Sequence, residues 1–202
     1  MFALVESGSI SKYFSGTQGV TIGDNKYPKA IFTLWTKSER EAIGIYEVEM
    51  DNSKRKDEQW YINTNVTYAF GGGKVTGSYG DATAKAHADT LFTAQDETDG
   101  KGTEGEVATR GLKYNLIQTI KKQAAGILQD TDWYIIRKAD AGTAVPSSIT
   151  NHRAAVRTKA AEQETAITNA SDTPALETLY TYTEQEDGSV TRPLGELPTL
   201  ES

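Results

Sequence analysis

The feature that most constrains this chain is a run of apolar side chains at three- and four-residue spacing. Leu112, Leu116, Ile117, Ile120, Ala124, Ile127 and Leu128 fall on one stripe, with Lys113, Lys121 and Lys122 off it. The pattern predicts a long amphipathic helix from about residue 107, whose apolar face must be covered by something. A second helical segment is expected to start near Asp130–Asp132 and to stop at Gly142. A third opens in VPSSITNHRAAVRTKAAEQETAI, with Ser147 or Ser148 as its cap and Ile149, Val156, Ala160 and Ile167 on one face. That last stripe is thin and alanine-rich. Alone it buries little apolar area, so the helix needs a partner: the first helix, another subunit, or both.

Upstream the period changes. FALVE and ISKYF flank SGS and read as a hairpin. In AIFTLWTKSEREAIGIYEVE, residues Ile31, Phe32, Leu34 and Trp35 form an apolar patch. The short helix SEREAIG follows, capped by Thr36 or Ser38 and ended by Gly44, and IYEVEM then alternates like a strand. QWYINTNVTYAF and KVTGSY read as strands joined by the glycines at 71–73. The expected class is therefore α+β: a small β-rich domain over residues 1–80, a polar linker over 81–106, a helical hairpin or bundle over 107–170, and an extended acidic C-terminal extension over 171–202. Within that extension SDTPALETLY restarts a short helix, with Pro174 near its first turn. TYTEQEDGSVTRP reads as a hairpin turning at Asp187-Gly188, and the last ten residues as an extended, proline-containing tail.

Composition narrows the function classes. An apolar fraction of 37% and a mean hydropathy of −0.53 are low for an enzyme with one compact core, and suit several modest folded pieces. Of the net charge of −7, most sits at the end. Residues 171–202 hold seven of the 28 carboxylates and one of the 21 basic residues, Arg192, which leaves 21 acids against 20 bases elsewhere. A near-neutral body with an acidic end gives no footprint for nucleic acid. The chain has no cysteine, so thiolate metal sites, disulfides and cysteine nucleophiles are excluded. No apolar run approaches the ~20 residues that cross a bilayer, and MFALVESGSISKYF lacks the basic start and apolar core of a signal peptide.

Each chemical candidate fails on spacing. FGGGKVTG suggests a phosphate loop, but Tyr68 stands where the first glycine is required and Val75 where Ser or Thr must follow Lys74, so a hairpin turn is expected. The two histidines, His87 and His152, lie in different segments without metal-ligand spacing, and His152 is expected to be solvated or interfacial. No Gly-x-Ser-x-Gly elbow supports a catalytic triad. DETDG at 96–100, with Glu106 beyond it, matches a calcium loop only in part and reads as a flexible linker. In DTDWYIIRKADAGTAVP the acids Asp130, Asp132 and Asp140 and the bases Arg137 and Lys138 could be imagined as a site. Their places on a helix instead make Asp130 and Asp132 caps and Arg137 and Lys138 charges nearer its other end, with Trp133 and Ile136 as packing residues.

The same stretch carries a resemblance. Thr131-Asp132-Trp133-Tyr134, Arg137-Lys138-Ala139, Gly142-Thr143-Ala144-x-Pro146 and Arg153-Ala154-Ala155-x-Arg157 resemble a C-terminal module of small proteins encoded among the tail genes of tailed bacteriophages. FALVESGSI and IGDNKYPKAIFTLWTKSEREAIGIYEV are similar to N-terminal elements of that group. The likeness covers roughly residues 1–50 and 110–168; the charged stretch near 94–106 and the acidic end after 171 depart from it. It implies a virion structural protein, a tail-fibre or baseplate-associated subunit bridging larger tail components. The alternative is a tail-fibre assembly chaperone absent from the mature particle. Implied partners are other tail proteins (fibre, baseplate or hub) and further copies of the chain, a trimer by analogy with fibres, with no nucleic acid and no membrane insertion. The implied location is the virion tail, after synthesis in the host cytoplasm. No catalytic residue, cofactor or metal is expected. Candidate interaction residues are the anchors Trp35, Trp60 and Trp133, each also a candidate for the chain's own core, and the motif residues Tyr134, Arg137, Arg153 and Arg157.

Overall fold

A computed structural model describes residues 1–200 of the chain. The fold is α+β, with a β-rich sheet curled into a half-barrel at the N-terminus and helices after it. The chain divides into two compact units, Met1–Thr83 and Ala84 onward.

In the first unit, β1 (Phe2–Glu6) and β2 (Ser9–Phe14) form the expected hairpin. β3 (Val20–Ile22) and β4 (Asn25–Tyr27) form a small ribbon, followed by the short helices α1 (Ile31–Leu34) and α2 (Lys37–Ala42). β5 (Ile45–Asp51), β6 (Tyr61–Ile62), β7 (Thr67–Gly71) and β8 (Lys74–Ser78) complete the unit's strands. The main sheet runs β2-β1-β5-β8-β7. Every pairing in it is antiparallel except β5 with β8, which is parallel. Leu4 and Ile45 on one face meet Ile31 and Phe32, with Phe2, Phe14 and Trp35 packed around them. Of the two predicted caps for α2, Thr36 is the one used. Its hydroxyl accepts the Glu39 amide, and the Glu39 carboxylate accepts the Thr36 amide at 2.7 Å, a reciprocal box. On the other face Tyr46 meets Phe70 and, across the two edge strands, Tyr13 meets Tyr68 at 5.2 Å. The glycines that mimicked a phosphate loop turn β7 into β8, as the spacing predicts.

β9 (Thr83–Ala84) spans the boundary between the units. In the second unit, residues read as a polar linker carry local order. β10 (Thr90–Leu91) pairs with β11 (Val107–Thr109) around the one-turn helix α3 (Ala94–Thr98). Thr93 caps that helix in a reciprocal box with Asp96, and Lys101 bridges Asp96 and Asp99 at 3.0 Å each, so the acids of the partial calcium loop are held by their own chain. Hydrogen bonds from Thr93 lower the Asp96 carboxyl to about 2.

α4 (Leu112–Gln129) and α6 (Ser147–Asn169) form the hairpin that the stripes demand. Lys113 near the start of α4 donates to Thr168 O near the end of α6, and Arg153 near the start of α6 donates to Leu128 O near the end of α4, so the two run antiparallel. Ile120 and Ala124 are buried on one side, and Ile149, Val156, Ala160 and Ile167 on the other. Neither Ser147 nor Ser148 caps α6. Pro146 occupies the cap position, and Ser147 is already the first helical residue.

The short helix expected in residues 171–180 is present. Asp172 caps α7 (Thr173–Tyr180), in which Leu176 is fully buried, and Thr173 donates to Lys85 O. β12 (Thr183–Glu184) and β13 (Val190–Thr191) make the hairpin expected at Asp187-Gly188. The segment after it folds back and buries Leu194. The reason is apolar: Leu176 and Leu194 remove more from water than the surrounding charge opposes, because the acids point outward or pair, as Glu196 does with Arg192 at 2.8 Å.

Candidate interaction surface

The seven candidate residues separate into three kinds of environment. Trp60 is buried, and Trp35 is half-buried with its ring edge-on to Tyr27 at 5.9 Å, so both belong to the framework of the first unit. Arg153 is buried and structural. Trp133, Tyr134 and Arg137 lie together on α5 (Asp132–Ala141), while Arg157, one turn beyond Arg153 on α6, faces solvent.

Arg153 shows how the sequence positions α5. Its Nη1 donates to Leu128 O, at the end of α4, and to the Thr131 hydroxyl, both at 2.7 Å; its Nη2 meets the Asp132 carboxylate at 2.8 Å. One planar guanidinium thus joins the donors gathered on the Leu128 carbonyl at the end of α4 and fixes the first turn of α5. Thr131, itself buried, adds a bond from its hydroxyl to Leu128 O. The predicted caps fail here. Asp130 ends α4, and the cap residue of α5 is Thr131, which makes no side-chain capping bond. Asp132 instead serves the helix start by its charge and its pairing with Arg153. At the far end Gly142 takes a φ of 68° and its amide N–H donates to Lys138 O, the expected stop.

Between those fixed ends α5 buries nothing. Trp133, predicted as a packing residue, is 50% exposed, and Ile136 is 67% exposed; Ile135 adds another 43%. The periodicity argument placed Trp133 and Ile136 on one side correctly but could not supply the element they would pack against. The rings of Trp133 and Tyr134 lie 3.9 Å apart, and the Arg137 guanidinium sits 4.7 Å from the Trp133 centroid. Stacking holds the indole in place without covering it. The result is a short aromatic-aliphatic ridge of Trp133 and Ile136 with a cation beside it. That composition marks recognition surfaces more than it marks solvent-facing helices.

Sequence reasoning missed Thr131 and Ile135, although Thr131 stands inside the quoted Thr-Asp-Trp-Tyr motif. His152, expected to be solvated or interfacial, is buried on the α4-facing side of α6. Among the described residues no three His, Asp or Glu side chains gather to hold a metal ion, and no helix is long and apolar enough to cross a membrane. No family model matches the chain, and no curated protein or solved structure matches it either.

Proposed function

We propose that the chain is a structural subunit of a bacteriophage tail, a fibre- or baseplate-associated protein that works by binding other tail proteins and catalyses no reaction. The observation that carries this reading is the ridge on α5. Trp133, Ile135 and Ile136 are exposed on a helix fixed at one end by Arg153, and this is the stretch whose residues resemble the phage tail module. A soluble monomer gains nothing from displaying these side chains to water, whereas an assembly subunit uses them as anchors. Arg137, already desolvated on one side by the indole, adds a donor suited to a partner's carboxylate or carbonyl. Further copies of the chain, three by analogy with fibres, and the larger fibre, baseplate or hub proteins are the proposed partners, and the virion tail is the proposed location.

Mass spectrometry of purified particles of the phage that encodes the chain tests this. Its peptides should be present in stoichiometric amounts with known tail components. Absence from particles combined with recovery on unassembled fibre would transfer the reading to an assembly chaperone. Absence from both would end it.

A further inference from the structure

Two features of the second unit are left uncovered by the chain's own packing. One is the ridge on α5, where Trp133, Ile136 and Arg137 share a face at i, i+3 and i+4. The other is the β12–β13 hairpin. Every residue from 181 to 191 is exposed, so this two-stranded ribbon has no third strand and buries neither face. A lone two-stranded hairpin is marginal in water, and cover on one face stabilises it.

The two faces of the ribbon differ. Thr183 stands opposite Thr191 on one, and Gln185 Nε2 closes that face by donating to Thr183 O at 3.2 Å and to the Thr191 hydroxyl at 2.9 Å. Glu184 stands opposite Val190 on the other, which sets an aliphatic side chain, 60% exposed, beside a carboxylate. Glu184 and Glu186 form no ion pair among the described residues, and Asp187 adds a third acid at the turn. The ridge is the complement. The Arg137 guanidinium lies over the Trp133 ring and 5.7 Å from the Tyr134 centroid, and it forms no ion pair among the described residues. Its Nε is buried without a hydrogen bond. A guanidinium stacked on its flat side keeps its terminal nitrogens for a carboxylate. Asp140, at the far end of the same face, repels acids and so favours their seating at Arg137. The dimensions agree: the ten residues of α5 run about 15 Å, and the hairpin arm 183–186 about 13 Å.

We propose that the α5 ridge of one copy docks the β12–β13 hairpin of a second copy of the chain, with Val190 against Trp133 and Ile136 and with Glu184 paired to Arg137. This occupant rests on the reading of the ridge as an interface, and is independent of the particle to which the chain belongs. Ridge and hairpin are different surfaces, so the contact is head to tail. Each copy offers both halves, and successive copies close into a ring or extend as a filament. The guanidinium–carboxylate pair beside the apolar contact fixes its register.

Analytical ultracentrifugation of the full chain tests this. Wild type should self-associate, and Arg137→Glu and Glu184→Arg should each weaken association by at least about tenfold. The double variant Arg137→Glu/Glu184→Arg restores opposite charges across the contact. It should recover most of the wild-type association, which a purely structural role for either residue would not allow. Val190→Asp, at an exposed position of the ribbon, should weaken association likewise if Arg137→Glu does not fold. The proposal is overturned if wild type is monomeric at about 100 μM, if the single variants associate as wild type does, or if the double variant stays as weak as the singles. A monomeric wild type whose Arg137→Glu form no longer co-purifies with tail components overturns this pairing and leaves the tail reading standing. Absence from particles with the charge-swap pattern intact does the reverse.

Discussion

Helix α5 carries a tryptophan, a tyrosine and two isoleucines in ten residues and buries none of its side chains. α6 spreads Ile149, Val156, Ala160 and Ile167 over 23 residues and buries all four. The less apolar helix is the core helix. Burial is decided by whether an element has a neighbour along its length, and α6 has α4 beside it from one end to the other, tied at Lys113–Thr168 and at Arg153–Leu128. α5 is tied at its first turn by Arg153 and has no fully buried residue among the described ones. Its apolar side chains are therefore available to something outside the unit, which a helix of similar composition inside a bundle could not offer.

The contrast can be broken by substitution. One of the two largest effects is expected at Arg153, which joins the two helices. Arg153→Met removes one of the donors to the Leu128 carbonyl, which keeps those from Thr131, and leaves the Thr131 hydroxyl without its buried donor and Asp132 without its partner. It should lower stability by about 3 kcal/mol in chemical denaturation. A loss below about 1 kcal/mol would mean that water replaces the guanidinium and that the clamp is not structural. Next, Ile167→Ala in the buried stripe should cost about 2–5 kcal/mol. Ile136→Ala, with a larger side-chain loss on paper than many core changes, should stay within about 0.5 kcal/mol of wild type, and so should Trp133→Ala. Equal losses for Ile167→Ala and Ile136→Ala would abolish the distinction drawn between the helices. If the ridge is an interface, Ile136→Asp should leave the denaturation midpoint in place while abolishing co-purification with tail components or with further copies of the chain.

The smallest effect concerns the stretch that resembled a calcium loop. Asp96 has its carboxyl lowered from 3.8 to about 2, chiefly by the hydrogen bond from the Thr93 amide. A depressed carboxyl stabilises the folded form above its ordinary range and ceases to do so as the pH falls through its folded value. The cap on α3 should thus persist on acidification from neutral to about pH 3 and fail near pH 2. The Thr93 amide resonance reports this directly, and a transition centred near 3.8 would show the cap to be unformed in solution.

Much of the architecture was legible because it is local. The hairpin at the N-terminus, the glycine turn before β8, the Thr36 cap, the stop at Gly142 and the paired stripes of α4 and α6 are each specified by residues within a few positions of one another. The parallel pairing of β5 with β8 was not, since it depends on what the chain does over the two dozen residues between them. The order found within 90–109 was hidden by composition. Its glycines and charges look like a linker, yet they close a ribbon around a capped helical turn. The ridge was half legible. Trp133, Tyr134 and Arg137 were singled out as candidate interaction residues, but Trp133 and Ile136 were also read as helix packing.

By itself, then, the sequence determined the N-terminal hairpin, the glycine turn and the long helices, and which face of each long helix is apolar, because period and capping chemistry act within one or two turns. Only the tertiary structure decided what covers those faces. It set α4 against α6, folded the acidic end back through Leu194, brought Arg153 under the start of α5 and left Trp133 and Ile136 in water. The physical reason is that burial belongs to pairs of distant elements. A periodic stripe states that a partner is needed, and says nothing about whether the chain itself provides one.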